Sequence, residues 1–166
     1  HYVNASETAI RVADVVNIFY VEDAAIPGIV PAAPWGNTVL DFQLPPNQTT
    51  TVSYECAATS EMKLITLLGH MHEYGKSISI QVGPSGGAME TIYEVMEWEP
   101  EYRDKSPVRE WTVTVPYVID AGEVMRVSCT WSNESAETLA FPQEMCASLS
   151  WFYPGEEPLT CAGSPL

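Results

Sequence analysis

The alternation of apolar and polar residues along the chain predicts β-structure almost throughout. Short segments rich in Val, Ile and aromatic residues alternate between two faces, as half-buried strands do. No stretch carries the three-to-four-residue spacing of an amphipathic helix. The segments that this pattern predicts as strands are 10–20, 38–44, 50–56, 63–72, 76–82, 88–98, 109–115, 124–131 and 146–153.

Turn-forming residues separate these segments. Most of the 13 prolines and 10 glycines lie between the predicted strands, as in the clusters 45–47 and 83–87. Short strands with regular turn signals are typical of β-sandwiches and jelly rolls. We therefore predict an all-β, antiparallel β-sandwich or jelly roll with about eight to ten strands. With 166 residues and no internal repeat or obvious linker, residues 1–166 are predicted to form one domain.

Composition and charge exclude several classes of partner. Hydrophobic residues make up 46% of the chain and charged residues 17%, which is typical of a globular protein. The net charge is −15, from 22 acidic and 7 basic residues, and no Lys/Arg cluster is available for phosphates. The longest apolar runs, such as residues 64–68, are far too short for a bilayer. We predict no nucleic-acid partner and no membrane span.

Four cysteines indicate the cellular compartment. Cys56, Cys129, Cys146 and Cys161 form no CxxC pair, which argues against a zinc ribbon or a thioredoxin-like site. An even number of widely spaced cysteines in an acidic, lysine-poor chain predicts two disulfides and a secreted or periplasmic protein. The sequence alone permits three pairings. The chain opens without Met or a basic leader, as a mature chain or an excised fragment would.

Two of the three histidines stand in the segment His70-Met71-His72. Residues i and i+2 of a strand point to the same face, with Cα atoms about 7 Å apart, so both imidazoles can bind one metal ion. The segment therefore predicts a metal site. The alternative is a structural β-sandwich in which the pair is incidental.

The choice of a third ligand narrows the kind of metal. A cupin needs a Glu about four residues after the second His and a later His, but Lys76 stands near that place and no His follows His72. A blue-copper site needs a Cys–His–Met run, and a serine hydrolase needs GxSxG; the chain has neither. Met145, within Glu144-Met145-Cys146, offers a thioether, which favours Cu(I). Its alternative role is packing in the core.

These residues carry a family resemblance. The segment 70–76, HMHEYGK, resembles the HxHxxGK element of the type II copper, ascorbate-dependent monooxygenases. That family includes peptidylglycine α-hydroxylating monooxygenase and dopamine β-monooxygenase. Residues 144–146 are similar to the family's EMC element, and the four cysteines follow the family's order. The resemblance covers residues 39 to 161 and indicates the C-terminal, catalytic-copper domain.

The resemblance implies a site and an activity. One copper ion would be held by His70, His72 and Met145, and the disulfides would be Cys56–Cys161 and Cys129–Cys146. The implied reaction is hydroxylation of a substrate C–H bond with O2, with ascorbate as reductant and an electron from a second copper in a preceding domain. A copper-binding or copper-carrying module without catalysis, and a structural β-sandwich, are the alternatives.

The first residues fit the same family. His1-Tyr2 resembles the QxHY segment that supplies a histidine to the family's other copper site. Residues 1–5 would then end the preceding domain, His1 would belong to a possible second copper site, and this chain alone would be inactive. In a rival interpretation, His1 chelates copper through its amine and imidazole, as in the histidine brace of lytic polysaccharide monooxygenases.

The sequence departs from the family at the substrate positions. Peptide-amidating members hold a substrate carboxylate with an Arg before HxH and with Asn and Tyr after EMC. The matching positions here are Leu68, Ala147 and Leu149, which cannot form charge-assisted contacts. A peptide-amidating substrate is therefore not expected, and the substrate stays open.

Overall fold

Twelve strands make up nearly half of the computed structural model, which describes residues 4, 6–20, 22 and 28–166. The helical structure of the described part is one short 3-10 turn, Pro100–Arg103. The strands are β1 (Ala33–Val39), β2 (Gln43–Leu44), β3 (Gln48–Ala57), β4 (Met62–His70), β5 (Gly75–Gly83), β6 (Glu90–Val95), β7 (Val108–Glu110), β8 (Tyr117–Ile119), β9 (Val124–Asn133), β10 (Leu139–Ala140), β11 (Cys146–Tyr153) and β12 (Leu159–Gly163).

Two sheets form the sandwich. The front sheet has the order β12-β1-β11-β4-β7, with β8 also paired to β4. The back sheet has the order β3-β9-β5-β6, and β2 and β10 form a separate short pair. All strand pairs are antiparallel except β1 with β12. The prediction of an all-β, antiparallel sandwich is confirmed, although the described residues form twelve strands rather than eight to ten, and one strand pair is parallel.

The core lies between the sheets and follows from strand alternation. In β1, Trp35 is buried while its neighbour Gly36 faces outward, and the same period of two runs through β9 and β11. Fully burying one large apolar side chain contributes about 1.5–3 kcal/mol. The largest buried apolar residues include Trp131, Tyr54, Leu44, Met62, Leu64, Leu67, Ile78, Ile80, Ile119 and Met125.

Both disulfides connect one sheet to the other. Cys56 of β3 is bonded to Cys161 of β12, and Cys129 of β9 is bonded to Cys146 of β11. The Cα atoms of the two pairs are 6.1 Å and 5.9 Å apart. This is the pairing that the family resemblance implies. Because each bond crosses the core, the two sheets are covalently held in register.

The first predicted strand is wrong within the described residues. No strand is present at 10–20, and its apolar side chains are exposed, Phe19 to 94%. The segment is rich in β-branched residues, but a strand also needs a partner, and no described strand pairs with it. Apolar neighbours such as Val15 and Val16 also break the two-residue alternation that a half-buried strand needs.

Within the described part of the chain, no helix is long and apolar enough to cross a membrane.

Candidate metal centre

The two histidines lie where β4 ends. His70 is the last residue of the strand, and both His70 and His72 are half-buried while Met71 between them is fully buried. The alternation of faces therefore continues past the strand end and directs the two imidazoles to the same side. Their ring centroids are 5.2 Å apart, with the ring planes nearly perpendicular at 87°.

The ring of His72 is oriented by a backbone carbonyl. Its Nδ1 lies 2.9 Å from the carbonyl oxygen of Gln143. A carbonyl oxygen can only accept a hydrogen bond, so in the neutral imidazole this contact places the proton on Nδ1 and leaves the lone pair on Nε2. A second partner of this kind is what fixes the tautomer of a metal-binding histidine.

Glu144 connects the Met145 segment to the histidine segment. Its carboxylate is fully buried and accepts hydrogen bonds from the backbone N–H of His72 (3.1 Å), the backbone N–H of Tyr74 (2.8 Å) and the indole Nε1–H of Trp131 (2.9 Å). Burial raises the pKa of Glu144, while these donors oppose the rise because they stabilise the charged form. The Glu144 side chain thus links the segment 144–146 to the histidine segment 70–76.

Met145 is held between two fixed residues. Glu144 precedes it, and Cys146 after it opens β11 and is disulfide-bonded. In the antiparallel pairing of β11 with β4, Ala147 lies opposite His70. The carbonyl of Gln143 and the carboxylate of Glu144 both contact His72, so the segment that carries Met145 lies against the histidine segment.

The donor set fits copper better than harder metals. Among the described residues, no group of three His, Cys, Asp or Glu side chains could hold a metal ion. Met145 offers a donor of another type, a thioether, on the segment that Gln143 and Glu144 hold against His72. Two imidazoles with a thioether suit Cu(I) and are poor ligands for Mg²⁺ or Ca²⁺.

Close packing explains why glycine stands at position 75, in the HxHxxG element. A Cβ atom on Gly75 would lie 2.7 Å from Cδ1 of Trp98. The indole Nε1–H of Trp98 also donates to the carbonyl oxygen of His72 at 3.0 Å. Trp98 thus covers the turn after His72, and only glycine at position 75 lets it approach so closely.

Charged groups near the histidines are paired with one another. The guanidinium of Arg103 contacts Glu73 at 2.8 Å and Asp104 at 3.2 Å. Burial and the neighbouring His72 lower the pKa of His70, and Asp104 acts in the opposite direction. A lowered pKa keeps the imidazole neutral, which is the form that binds metal ions.

A groove opens beside His70 on the outer face of the front sheet. Its volume is about 480 Å³. The positions matched to the family's substrate contacts, Leu68, Ala147 and Leu149, line it together with His70. We call this the His70 groove; the residues that line it are Gly36, Asn37, Thr38, Leu68, His70, Ala147, Ser148, Leu149, Thr160, Cys161 and Ala162.

The structure thus brings His70 and His72 together and places Met145 on the adjoining segment, whereas His1 lies outside the described residues. Sequence reasoning missed the roles of Trp98 and Gln143. Trp98 carried no signal beyond its aromatic character, and Gln143 acts through its backbone, which side-chain identity does not reveal.

The disulfide next to Met145 leads to a first prediction. In the Cys129→Ala/Cys146→Ala variant, the free energy of unfolding is expected to fall by about 3 kcal/mol, because the bond closes a short loop. The sequence separation is 17 residues. Cu(I) affinity should fall as well, since Cys146 anchors the segment that carries Met145. Urea unfolding and competition titration with a Cu(I) chelator measure the two effects; unchanged affinity would contradict the anchoring role.

Comparison with known families agrees with this geometry. Residues 36–164 match the family model described as "Copper type II ascorbate-dependent monooxygenase, C-terminal domain". The matched range is well over half of the chain and includes His70, His72, Met145 and all four cysteines. A search of curated proteins finds no match.

Proposed function

The chain belongs to the type II copper, ascorbate-dependent monooxygenase family, as a C-terminal domain, and we propose that it binds the copper ion at which a substrate C–H bond is hydroxylated. The proposed ligands are the imidazoles of His70 and His72 and the Sδ atom of Met145. Copper, when bound, would supply the redox chemistry with O2, and ascorbate is the proposed reductant.

One observation carries this proposal: the ring centroids of His70 and His72 are 5.2 Å apart, Nδ1 of His72 is bonded to a backbone carbonyl, and His70 lines a groove. The carbonyl of Gln143 and the carboxylate of Glu144 hold His72 in place from two directions. The ligands are thus pre-positioned, which reduces the reorganisation that metal binding requires.

Met145 has a distinct part in the proposal. A thioether is a weak, soft ligand that favours the reduced metal and leaves a coordination position open. Its neighbours Glu144 and Cys146 fix the backbone on either side, so the sulfur is presented by a rigid segment. The groove residues would orient the substrate beside His70 and exclude water from it.

The domain organisation belongs to the same proposal. Residues 1–166 would form one β-sandwich domain, the C-terminal half of a two-domain enzyme, with residues 1–5 ending the preceding domain. That preceding domain would hold the second copper, with His1 among its ligands, and would donate an electron. The two disulfides support a secreted or periplasmic location.

The Met145→Ala variant tests the ligand set. X-ray absorption of the Cu(I)-loaded protein should show a Cu–S scattering path that disappears in this variant, and Cu(I) affinity should fall by about tenfold or more because a soft ligand is lost. The matched control is Met96→Ala, because the Met96 side chain is 68% exposed and should leave both measurements unchanged.

Other outcomes separate the alternatives. A Cu–S path that persists in Met145→Ala would show that another sulfur binds the metal. Equal copper affinity of the wild-type chain and the His70→Ala/His72→Ala variant would mean that the histidine pair is incidental. Copper binding by a protein that includes the preceding domain, without ascorbate-driven O2 consumption, would indicate a copper-carrying module.

A further inference from the structure

We propose that the His70 groove selects an uncharged, apolar substrate. This inference rests on the proposed function and adds the substrate class to it. The substrate would be a neutral small molecule, without a carboxylate or an ammonium group, whose apolar body packs against the front sheet.

The groove is formed by small side chains flanked by large ones. Gly36 and Ala147 face outward on the neighbouring strands β1 and β11, with Ala162 on β12 beyond β1. A Cβ on Gly36 would lie 3.9 Å from Cδ1 of Leu149, so the glycine faces the same hollow as that leucine. Leu68 lies opposite Leu149 in the pairing of β4 with β11. A volume of about 480 Å³ is within the range of small-molecule sites.

The described lining residues offer no carboxylate, ammonium or guanidinium group as an ion-pair partner. None of the described residues that line the groove is Asp, Glu, Lys or Arg. Asn37 and Ser148 are buried and bonded to each other, with Nδ2 of Asn37 3.2 Å from Oγ of Ser148. The hydroxyl of Thr38 donates to the carbonyl of Cys146 at 3.2 Å. An ionised substrate group would therefore lose hydration without gaining an ion-pair partner.

The nearby cation does not change this conclusion. Arg103 acts electrostatically on His70, but its guanidinium is paired with both Glu73 and Asp104. Arg103 is thus already neutralised by two carboxylates, and it does not line the groove. The net charge of −15 further disfavours an anionic substrate.

The position of the groove makes it a substrate site. His70 is both a proposed ligand and a lining residue. A molecule held between Leu68 and Leu149 would have a C–H bond close to the metal that His70 binds. Apolar walls also keep water away from that bond.

Three probes of similar size test the selectivity: 2-phenylethanol, phenylacetate and 2-phenylethylamine. Each is titrated into the copper-free chain, and the methyl resonances of Leu68, Ala147 and Leu149 are followed by NMR. The neutral alcohol should bind at least tenfold more tightly than either ion, a difference of about 1.4 kcal/mol. Equal or tighter binding of phenylacetate or 2-phenylethylamine, no binding of the alcohol, or shifts confined to other residues would overturn the proposal.

Two variants locate the effect in the groove. Ala147→Leu fills the hollow and should weaken 2-phenylethanol binding by at least tenfold. Leu68→Arg should weaken the binding of 2-phenylethanol and strengthen the binding of phenylacetate by a similar factor. Misfolding cannot produce a gain in affinity. Leu40→Arg is the matched control, because Leu40 is 47% exposed and lies outside the groove. Equal effects of Leu68→Arg and Leu40→Arg on phenylacetate would overturn the assignment.

Cu(I) titration of the same samples separates this inference from the proposed function. Retained Cu(I) binding with a preference for a charged probe overturns the substrate class and leaves the metal site intact. Loss of Cu(I) binding by the wild-type chain, with the neutral preference retained, overturns the proposed function, and with it the assignment of the groove to a substrate.

Discussion

Replacing Glu144 with alanine is expected to lower the free energy of unfolding by about 3–5 kcal/mol, because one buried and two partly buried N–H donors lose their acceptor at once. The backbone N–H groups of His72 and Tyr74 and the indole N–H of Trp131 all donate to this carboxylate. An unsatisfied buried donor costs about 1–3 kcal/mol, and relief of the carboxylate's own desolvation offsets part of the total. Urea unfolding monitored by tryptophan fluorescence measures the change.

The same variant should weaken Cu(I) binding, because Glu144 joins the segment of Met145 to that of His72. Glu144→Gln should give an intermediate loss of stability, since an amide keeps one acceptor oxygen but turns an N–H group toward a donor. Glu157→Ala is the control, because Glu157 is exposed and its removal should change neither measurement. If Glu144→Ala were as stable as Glu157→Ala, the hydrogen-bond network would not contribute to the fold.

Strands that pack against the core were predictable because their apolar residues alternate regularly. The segments 50–56, 124–131 and 146–153 match β3, β9 and β11 closely, and each of these strands contributes buried residues to the core. Tertiary packing and local propensity agree in these strands, so the apolar–polar alternation alone was sufficient to predict them.

Other strands could not be found from the pattern. Thr38–Leu44 was predicted as one strand, yet β1 begins earlier, at Ala33, and the chain bends at 40–42 before β2. β12 has only five residues, too few for a clear strand pattern, and what holds it is its parallel pairing with β1 and the bond of Cys161. Long-range pairing of this kind leaves no mark on the local sequence.

In the candidate site, too, some residues could be recognised from the sequence and others could not. The pair His70 and His72 was visible because a period of two puts both on one face. The role of Glu144 as a buried acceptor was not visible in the sequence. Its donors, which include His72 and Trp131, are brought together only by the fold. For Glu73, a pairing with Arg103 thirty residues on was equally hidden. The sequence thus singled out the proposed metal ligands, while the residues that position them became visible only in the fold.

Removing the other disulfide, in the Cys56→Ala/Cys161→Ala variant, is expected to lower the free energy of unfolding by nearly 5 kcal/mol, because this bond closes a long loop. The sequence separation is 105 residues. Alanine is chosen because Cys56 is only 1% exposed and a serine would bury a hydroxyl. Urea unfolding measures the loss, which should exceed that of Cys129→Ala/Cys146→Ala.

The two disulfides should also separate copper binding from groove binding. Cys161 lies on β12, whose residues Thr160 and Ala162 line the His70 groove, so loosening this strand should weaken 2-phenylethanol binding. β12 does not contact the histidine segment through any strand pairing, since β1 and β11 stand between it and β4. Cu(I) affinity of the Cys56→Ala/Cys161→Ala variant should therefore stay within about twofold of wild type, unlike that of the variant lacking the bond beside Met145. A parallel fall in Cu(I) affinity in both variants would mean that each bond acts through global stability, and that Cys146 has no particular part in holding the ligand segment.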